Sequence, residues 1–126
     1  MMSDKDKKLL LIDLSARLPY RQFVLLGGKE TVMLCGIDGD EVYLNIDSDS
    51  FHVESIKPYL RPMSSMTRDE SYELDHVEER YDNHYDSIVA QIDWLNKHHF
   101  DYRGLIEKGL ALEAPKGMYG TDLHNN

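Results

Sequence analysis

"TVMLCGIDGDEVYLNI" (Thr31–Ile46) decides how the rest of the chain is read. Two apolar-rich runs, Thr31–Ile37 and Glu41–Ile46, flank Asp38-Gly39-Asp40. Asp and Gly tolerate the positive φ that a type I′ turn demands, so the stretch predicts a β-hairpin. "QFVLL" (Gln22–Leu26), ending at Gly27-Gly28, reads as a strand before it, and "FHVESI" (Phe51–Ile56) as a fourth strand after it. Strands this short with tight turns predict a small curled antiparallel sheet, SH3-like if it closes into a barrel.

The flanking elements differ in period. Leu11, Leu14 and Leu18 share one helical face, which predicts a helix over about Lys5–Leu18 that Pro19 stops. "KPYLRP" (Lys57–Pro62) is extended by its prolines and reads as a stiff exit from the sheet. "TRDE" (Thr67–Glu70) matches a capping box. After it, Leu74, Val77, Tyr81, His84, Tyr85, Ile88, Ile92, Leu95 and His99 fall on one side at about 100° per residue. Asp75, Glu79, Asp82, Asp86 and Asp93 fall opposite. The two stripes stay in phase, which predicts one long helix over about Asp69–Lys97, weakest at Asp82-Asn83-His84. Asp101 then reads as the N-cap of a short helix, Tyr102–Lys108, closed by Gly109. The fold class is therefore α+β: residues 1–62 form an N-terminal helix and a β-unit, and 63–114 a helical region packed on it. Residues 115–126 form a mobile tail.

Bulk properties narrow the function classes. The chain has 126 residues, 14 basic and 23 acidic, with net charge −9. Residues 1–62 carry 8 basic and 10 acidic groups, and residues 63–126 carry 6 and 13, so the acidity belongs to the C-terminal half. Phosphate-backbone affinity rests on clustered Lys and Arg, which argues against a broad nucleic-acid face. Association through the β-unit would need Arg17, Arg21, Lys29, Lys57 and Arg61 to cluster. Cys35 is the sole cysteine, so neither an internal disulfide nor a thiolate zinc site can form within one chain, and its place in an apolar strand predicts a buried thiol. "LLLI" near the start is too short for a secretory core or a membrane span, which predicts a cytoplasmic protein without a membrane partner.

No residue pattern carries chemistry. "GGKET" lacks the glycine a phosphate loop needs at Phe23, and Glu30 stands where Ser or Thr should be. His98 and His99 point about 100° apart on a helix and cannot easily share an ion; His98 reads as solvent-facing and His99 as the end of the apolar stripe. His76, Arg80 and His84, near Asp75 and Glu79, read as a solvated ion-pair lattice. The sequence thus predicts no catalytic residue, no cofactor and no metal. Aromatics and one cation outside the core pattern, Trp94, Tyr102, Arg103 and Tyr59, are the candidate contacts for a protein partner. A local ion pair with Asp101 or Glu107 is the simpler role for Arg103. A helix with one apolar stripe can also pair with a second copy, giving a homodimer.

Three segments, "DLSARLPY" (Asp13–Tyr20), "KPYLRPMSSMT" (Lys57–Thr67) and "WLNKHHFDYRGLIEKGLALEAPKGMY" (Trp94–Tyr119), resemble a family of short, uncharacterised proteins of gut Bacteroides-type bacteria and their prophages and mobile elements. The resemblance implies a bacterial or phage setting and supplies no mechanism or site residue. A non-enzymatic protein-interaction module is the leading expectation, with a nucleic-acid-associated small β-barrel as the alternative.

Overall fold

The computed structural model describes residues 2–46 and 48–119. Helix α1 (Asp4–Arg17) opens on Ser3, whose hydroxyl accepts from Asp6 N, and passes into a 3-10 turn, Leu18–Tyr20, with Pro19 inside it. Six strands follow: β1 (Phe23–Leu26), β2 (Glu30–Asp38), β3 (Glu41–Leu44), β4 (Ser50–His52), β5 (Ile56–Leu60) and β6 (Leu112–Glu113). Their order is β4-β3-β2-β1-β5-β6, antiparallel except for β5 with β6. Among the described residues the sheet has two free ends, at β4 and β6, and is not closed. Among the described residues, no helix is long and apolar enough to cross a membrane.

β2 gives the sheet its curl. Its first half pairs with β1 (Phe23↔Met33 to Leu26↔Glu30) and its second half with β3 (Leu34↔Leu44 to Asp38↔Glu41). The register shifts between Leu34 and Gly36, and a bulge there bends and twists the strand. The expected hairpin is present, but its two loop residues are Gly39 and Asp40. Only Gly39 takes positive φ (+61°), the type II′ pattern instead of I′.

Lys57–Leu60 does not leave the sheet, contrary to the expected stiff exit. These residues lie in β5, between β1 and β6. Pro58 is tolerated because Leu60 O accepts from Ala114 N, which defines the side its parity faces. Residues two apart face the same way, so the Pro58 nitrogen points toward β6, whose pairing starts only at Tyr59. The fourth strand is likewise shorter than expected: β4 stops at His52, and Val53–Ser55 form a 3-10 turn.

The main core packs Leu10 and Leu14 of α1 against Val24, Val32, Leu34, Val42, Leu44, Val53, Ile56 and Leu60, closed by Leu105, Leu110 and Ala111. Each fully buried aliphatic side chain contributes roughly 1.5–3 kcal/mol. Cys35 is exposed, not buried. Alternation along β2 sends Val32 and Leu34 inward and Cys35 outward.

The single long helix is in fact two, α2 (Arg68–Glu79) and α3 (His84–Lys97). The Thr67–Glu70 capping box starts α2. Asn83 starts α3, its side-chain oxygen accepting from Tyr85 N and Asp86 N. An Asn that caps a new N-terminus cannot also continue the old helix. The two helices pack on each other: Ser87 Oγ donates to Glu78 O (3.1 Å) and Trp94 Nε1 to Glu73 Oε1 (3.2 Å). Val77, Trp94 and Phe100 form a second core there.

The expected short helix at Tyr102–Lys108 is absent; the segment is a chain of turns. Gly104 takes φ +75°, which no α-helix accommodates. Asp101 accepts from Leu105 N (2.8 Å) and Ile106 N (2.9 Å) instead of capping a helix at Tyr102. Gly109 (φ +76°) does close the last turn, with Leu110 N bonding Leu105 O and Gly109 N bonding Ile106 O. Of the expected tail, residues 115–119 are placed by Tyr119, which packs against the sheet. Residues 120–126 lie outside the described residues.

Candidate functional site

The four expected contact residues divide between core and polar cluster. Trp94 is only 7% exposed, with its ring stacked on Phe100 (5.8 Å) and tilted against His98 (4.2 Å), so it wedges the second core and offers no face to a partner. Tyr59 is half-buried, its hydroxyl 3.3 Å from Thr31 Oγ1. Tyr102 and Arg103 come together around Asp13. Arg17 forks onto Asp13 (Nε–Oδ2 2.9 Å, Nη2–Oδ1 3.2 Å) and also donates to Phe100 O (2.6 Å). The Arg103 guanidinium lies 3.6 Å from Asp13 Oδ1, not against Asp101 or Glu107. Both guanidinium groups contact the Tyr102 ring, at 5.3 and 4.9 Å. This cluster ties α1 to the segment after α3, which is a structural role.

Arg61, at the end of β5, forms a bidentate pair with Glu70 of α2 (both 2.7 Å) and stacks over Phe100 (4.2 Å). Burial pushes the Glu70 carboxyl up, but hydrogen bonds from Arg61 and Thr67 and the Arg61 charge outweigh it and hold it below the ordinary value. With Arg17 0% and Arg61 5% exposed, two of the five cations that a nucleic-acid face calls for are buried in ion pairs.

His98 and His99 have diverged into different surroundings. His98 is half-buried against Trp94, not solvent-facing; burial lowers its pKa despite the nearby Glu73 and Glu70. His99 is buried with φ +61°, past the end of α3, stacked on Tyr119 at 3.7 Å. Burial, then the Arg17 charge, lowers its pKa to about 3, so the ring is neutral. Its Nε2 donates to Tyr20 O (2.9 Å), which leaves Nδ1 as a lone pair 3.4 Å from Gln22 Oε1. Gln22 in turn donates to Phe23 O, Tyr59 O and the Tyr119 hydroxyl. The Tyr119 hydroxyl donates to Tyr59 O (2.7 Å) and accepts from Phe23 N (3.2 Å), and burial raises its pKa. Among the described residues, no group of three His, Cys, Asp or Glu could hold a metal ion.

This buried polar knot forms one wall of a cleft of about 340 Å³, lined by Tyr20, Arg21, Phe23, Lys97, His99, Met118 and Tyr119. The sequence reading missed it because three distant segments build it. Arg21 and His99 are the only non-glycine residues with positive φ among those described, and both line the cleft. Left-handed backbone costs a side-chain-bearing residue about 1 kcal/mol or more, and such strain concentrates at functional sites.

A second surface is the outer face of α3. Tyr85 (77% exposed), Ile88 (39%), Val89 (57%) and Ile92 (37%) form an apolar ridge. The apolar stripe is therefore divided, buried at Val77 in α2, packed on the second core at Leu95, and bare from Tyr85 to Ile92 in α3. Helix α3 turns Ser87, Ala90 and Trp94 inward, which sets the ridge roughly 170° round from Trp94. Asp86 and Asp93 rim it on one side.

Compared with known proteins, the chain matches no family model, and no curated protein or solved structure is significantly similar to it.

Proposed function

We propose that the protein is a non-enzymatic interaction module that presents the α3 ridge to a basic amphipathic helix of a protein partner. The carrying observation is the ridge itself: Tyr85, Ile88, Val89 and Ile92 repeat at i, i+3, i+4 and i+7 and stand in water. That spacing is the anchor pattern of helix-on-helix recognition. A patch of a few hundred Å² on a monomer is often functional. Four ridge side chains fall well short of the roughly 20–30 residues a side of a stable protein interface, which favours a single helix over a second copy. Charge points the same way. The carboxylates of Asp86 and Asp93 at the rim, in a C-terminal half of net −7, would repel a second copy and attract cations.

The strand order and the 3-10 turn before β5 support reading the first five strands as SH3-like. On this reading the β-unit is the platform and the helical pair the presenting arm, in the bacterial or phage setting that the three resembling segments imply.

Fluorescence anisotropy with a labelled Leu/Lys helical peptide tests the proposal, with its Leu/Glu counterpart as control. The basic peptide binds, the acidic one does not, and added salt weakens binding. Ile88→Asp with Val89→Asp reduces affinity at least tenfold while the far-ultraviolet circular dichroism is unchanged. Equal binding of both peptides, or none of either, overturns the reading. So does a light-scattering mass of a dimer that the double substitution dissociates.

A further inference from the structure

We propose that the cleft between Arg21, Lys97 and Tyr119 binds a small organic anion with an aromatic body, a nucleotide or an aromatic carboxylate. The argument uses none of the ridge residues and stands independently of the interaction reading.

Size and lining come first. About 340 Å³ falls at the lower end of small-molecule sites, which are mostly apolar with a few convergent polar groups. Tyr20, Phe23, Met118 and Tyr119 supply apolar and aromatic surface, and Phe23 and Tyr119 lie 5.7 Å apart. The charged lining residues are Arg21 and Lys97, with no carboxylate among the seven. In a chain of net charge −9, a concavity lined by two cations and no acid departs from the general surface. Neither cation makes a hydrogen bond or an ion pair among the described residues, so both can engage an anion without breaking a native contact.

Backbone conformation adds an independent reason. Arg21 sits at φ 61°, ψ 61°, a conformation glycine adopts freely and arginine does not. The side chain is exposed, and no described residue partners its guanidinium. Among the described residues no side-chain contact of Arg21 repays that conformation, whereas a bound anion would supply one. Beneath it the floor is rigid: His99 is locked by Tyr20 O and the Tyr119 ring, and Tyr119 by Tyr59 O and Phe23 N. A prearranged wall of this kind lowers the ordering cost of binding.

Calorimetric titration of the full chain with adenosine monophosphate, 1-naphthoate, inorganic phosphate and adenosine tests the proposal and separates the sources. One or both aromatic anions bind with a sub-millimolar Kd, and inorganic phosphate and adenosine bind at least tenfold more weakly. Binding of the nucleotide alone or of the carboxylate alone identifies the source. Arg21→Gly and Lys97→Gln each weaken the binding roughly tenfold to a hundredfold, the range for a charge-assisted hydrogen bond. Arg21→Gly also leaves the melting temperature unchanged or raises it, because glycine relieves the strain. No binding of either aromatic anion at millimolar concentration overturns the proposal, as does binding that neither substitution weakens. Adenosine binding as tightly as its monophosphate removes the anion from it. A lowered melting temperature for Arg21→Gly shows that Arg21 serves the fold and defeats the argument from strain.

Discussion

Replacing Glu70 by Gln should destabilise the protein by about 3 kcal/mol at neutral pH, because it takes from the buried Arg61 guanidinium the carboxylate charge that pairs with it in a bidentate contact. The Arg61 and Glu70 side chains are 6% and 4% exposed, and two contacts of 2.7 Å join them. At that burial, loss of one partner costs about 3–5 kcal/mol, against about 0–1 for a surface pair. Glutamine is the informative choice because it keeps an oxygen for Thr67 N, which now donates to Glu70 Oε1 at 3.0 Å. Glu70→Ala removes the cap as well and should cost about 1 kcal/mol more. Arg61→Met with Glu70→Gln should cost well under the sum of the single changes, with a coupling of at least about 2 kcal/mol. The effect is linked to pH with a definite sign. The folded carboxyl titrates below its ordinary value of 4.5, so its contribution is complete above that value and is lost as pH falls through the lower folded one. The gap between the wild type and Glu70→Gln should therefore narrow below about pH 4.5. Urea unfolding, followed by the emission of the single tryptophan and by circular dichroism at pH 7 and pH 3, measures all of this. A Glu70→Gln cost under about 1 kcal/mol, or additivity in the double-mutant cycle, would refute the reasoning and make the pair a surface-like bridge.

Two further outcomes follow from the same packing. His99 should show no imidazole titration by nuclear magnetic resonance above about pH 4, since its folded pKa is lowered to about 3. Its contribution to stability is complete above the unfolded value of 6.5 and is lost as pH falls, with a slope approaching 1.4 kcal/mol per pH unit. His99→Gln should lack that slope, and a native-state titration near pH 6.5 would contradict the burial argument. Cys35 should react with an aromatic disulfide in the native protein at one thiol per chain, without denaturant. A thiol that reacts only on unfolding would contradict its outward position on β2.

What was readable in the sequence was local. Thr67 and Glu70 are three residues apart and their capping box forms as written, yet the ion pair that buries Glu70 comes from Arg61, nine positions back in another element. The Asp38–Gly39 signal located the hairpin, while its turn type depended on register set by the flanking strands. Pro58 argued for an exit from the sheet by its own chemistry. Whether a missing N–H matters depends on where the neighbouring strand begins, and β6 arrives from more than fifty residues later in the chain. The cleft was invisible for the same reason: the left-handed backbone at Arg21 and His99 has no signature in residue type, and its walls come from three separate segments.

The helical region carries the most functional weight because its reading failed in an informative way. A stripe in phase from Leu74 to His99 predicts one helix with one buried face. Asn83 instead capped a second start, and α3 presented Ser87, Ala90 and Trp94 to α2. Small residues at Ser87 and Ala90 permit close approach, and the Ser87 hydroxyl bonds Glu78 O across the gap. Tyr85, Ile88, Val89 and Ile92 cannot supply that contact, since they project from the other side of the helix. An apolar period that the protein's own core does not use has no folding role in this arrangement. Its exposure on a solvent face costs solubility in an otherwise acidic helix pair, and the partner helix proposed above would remove that cost by covering it.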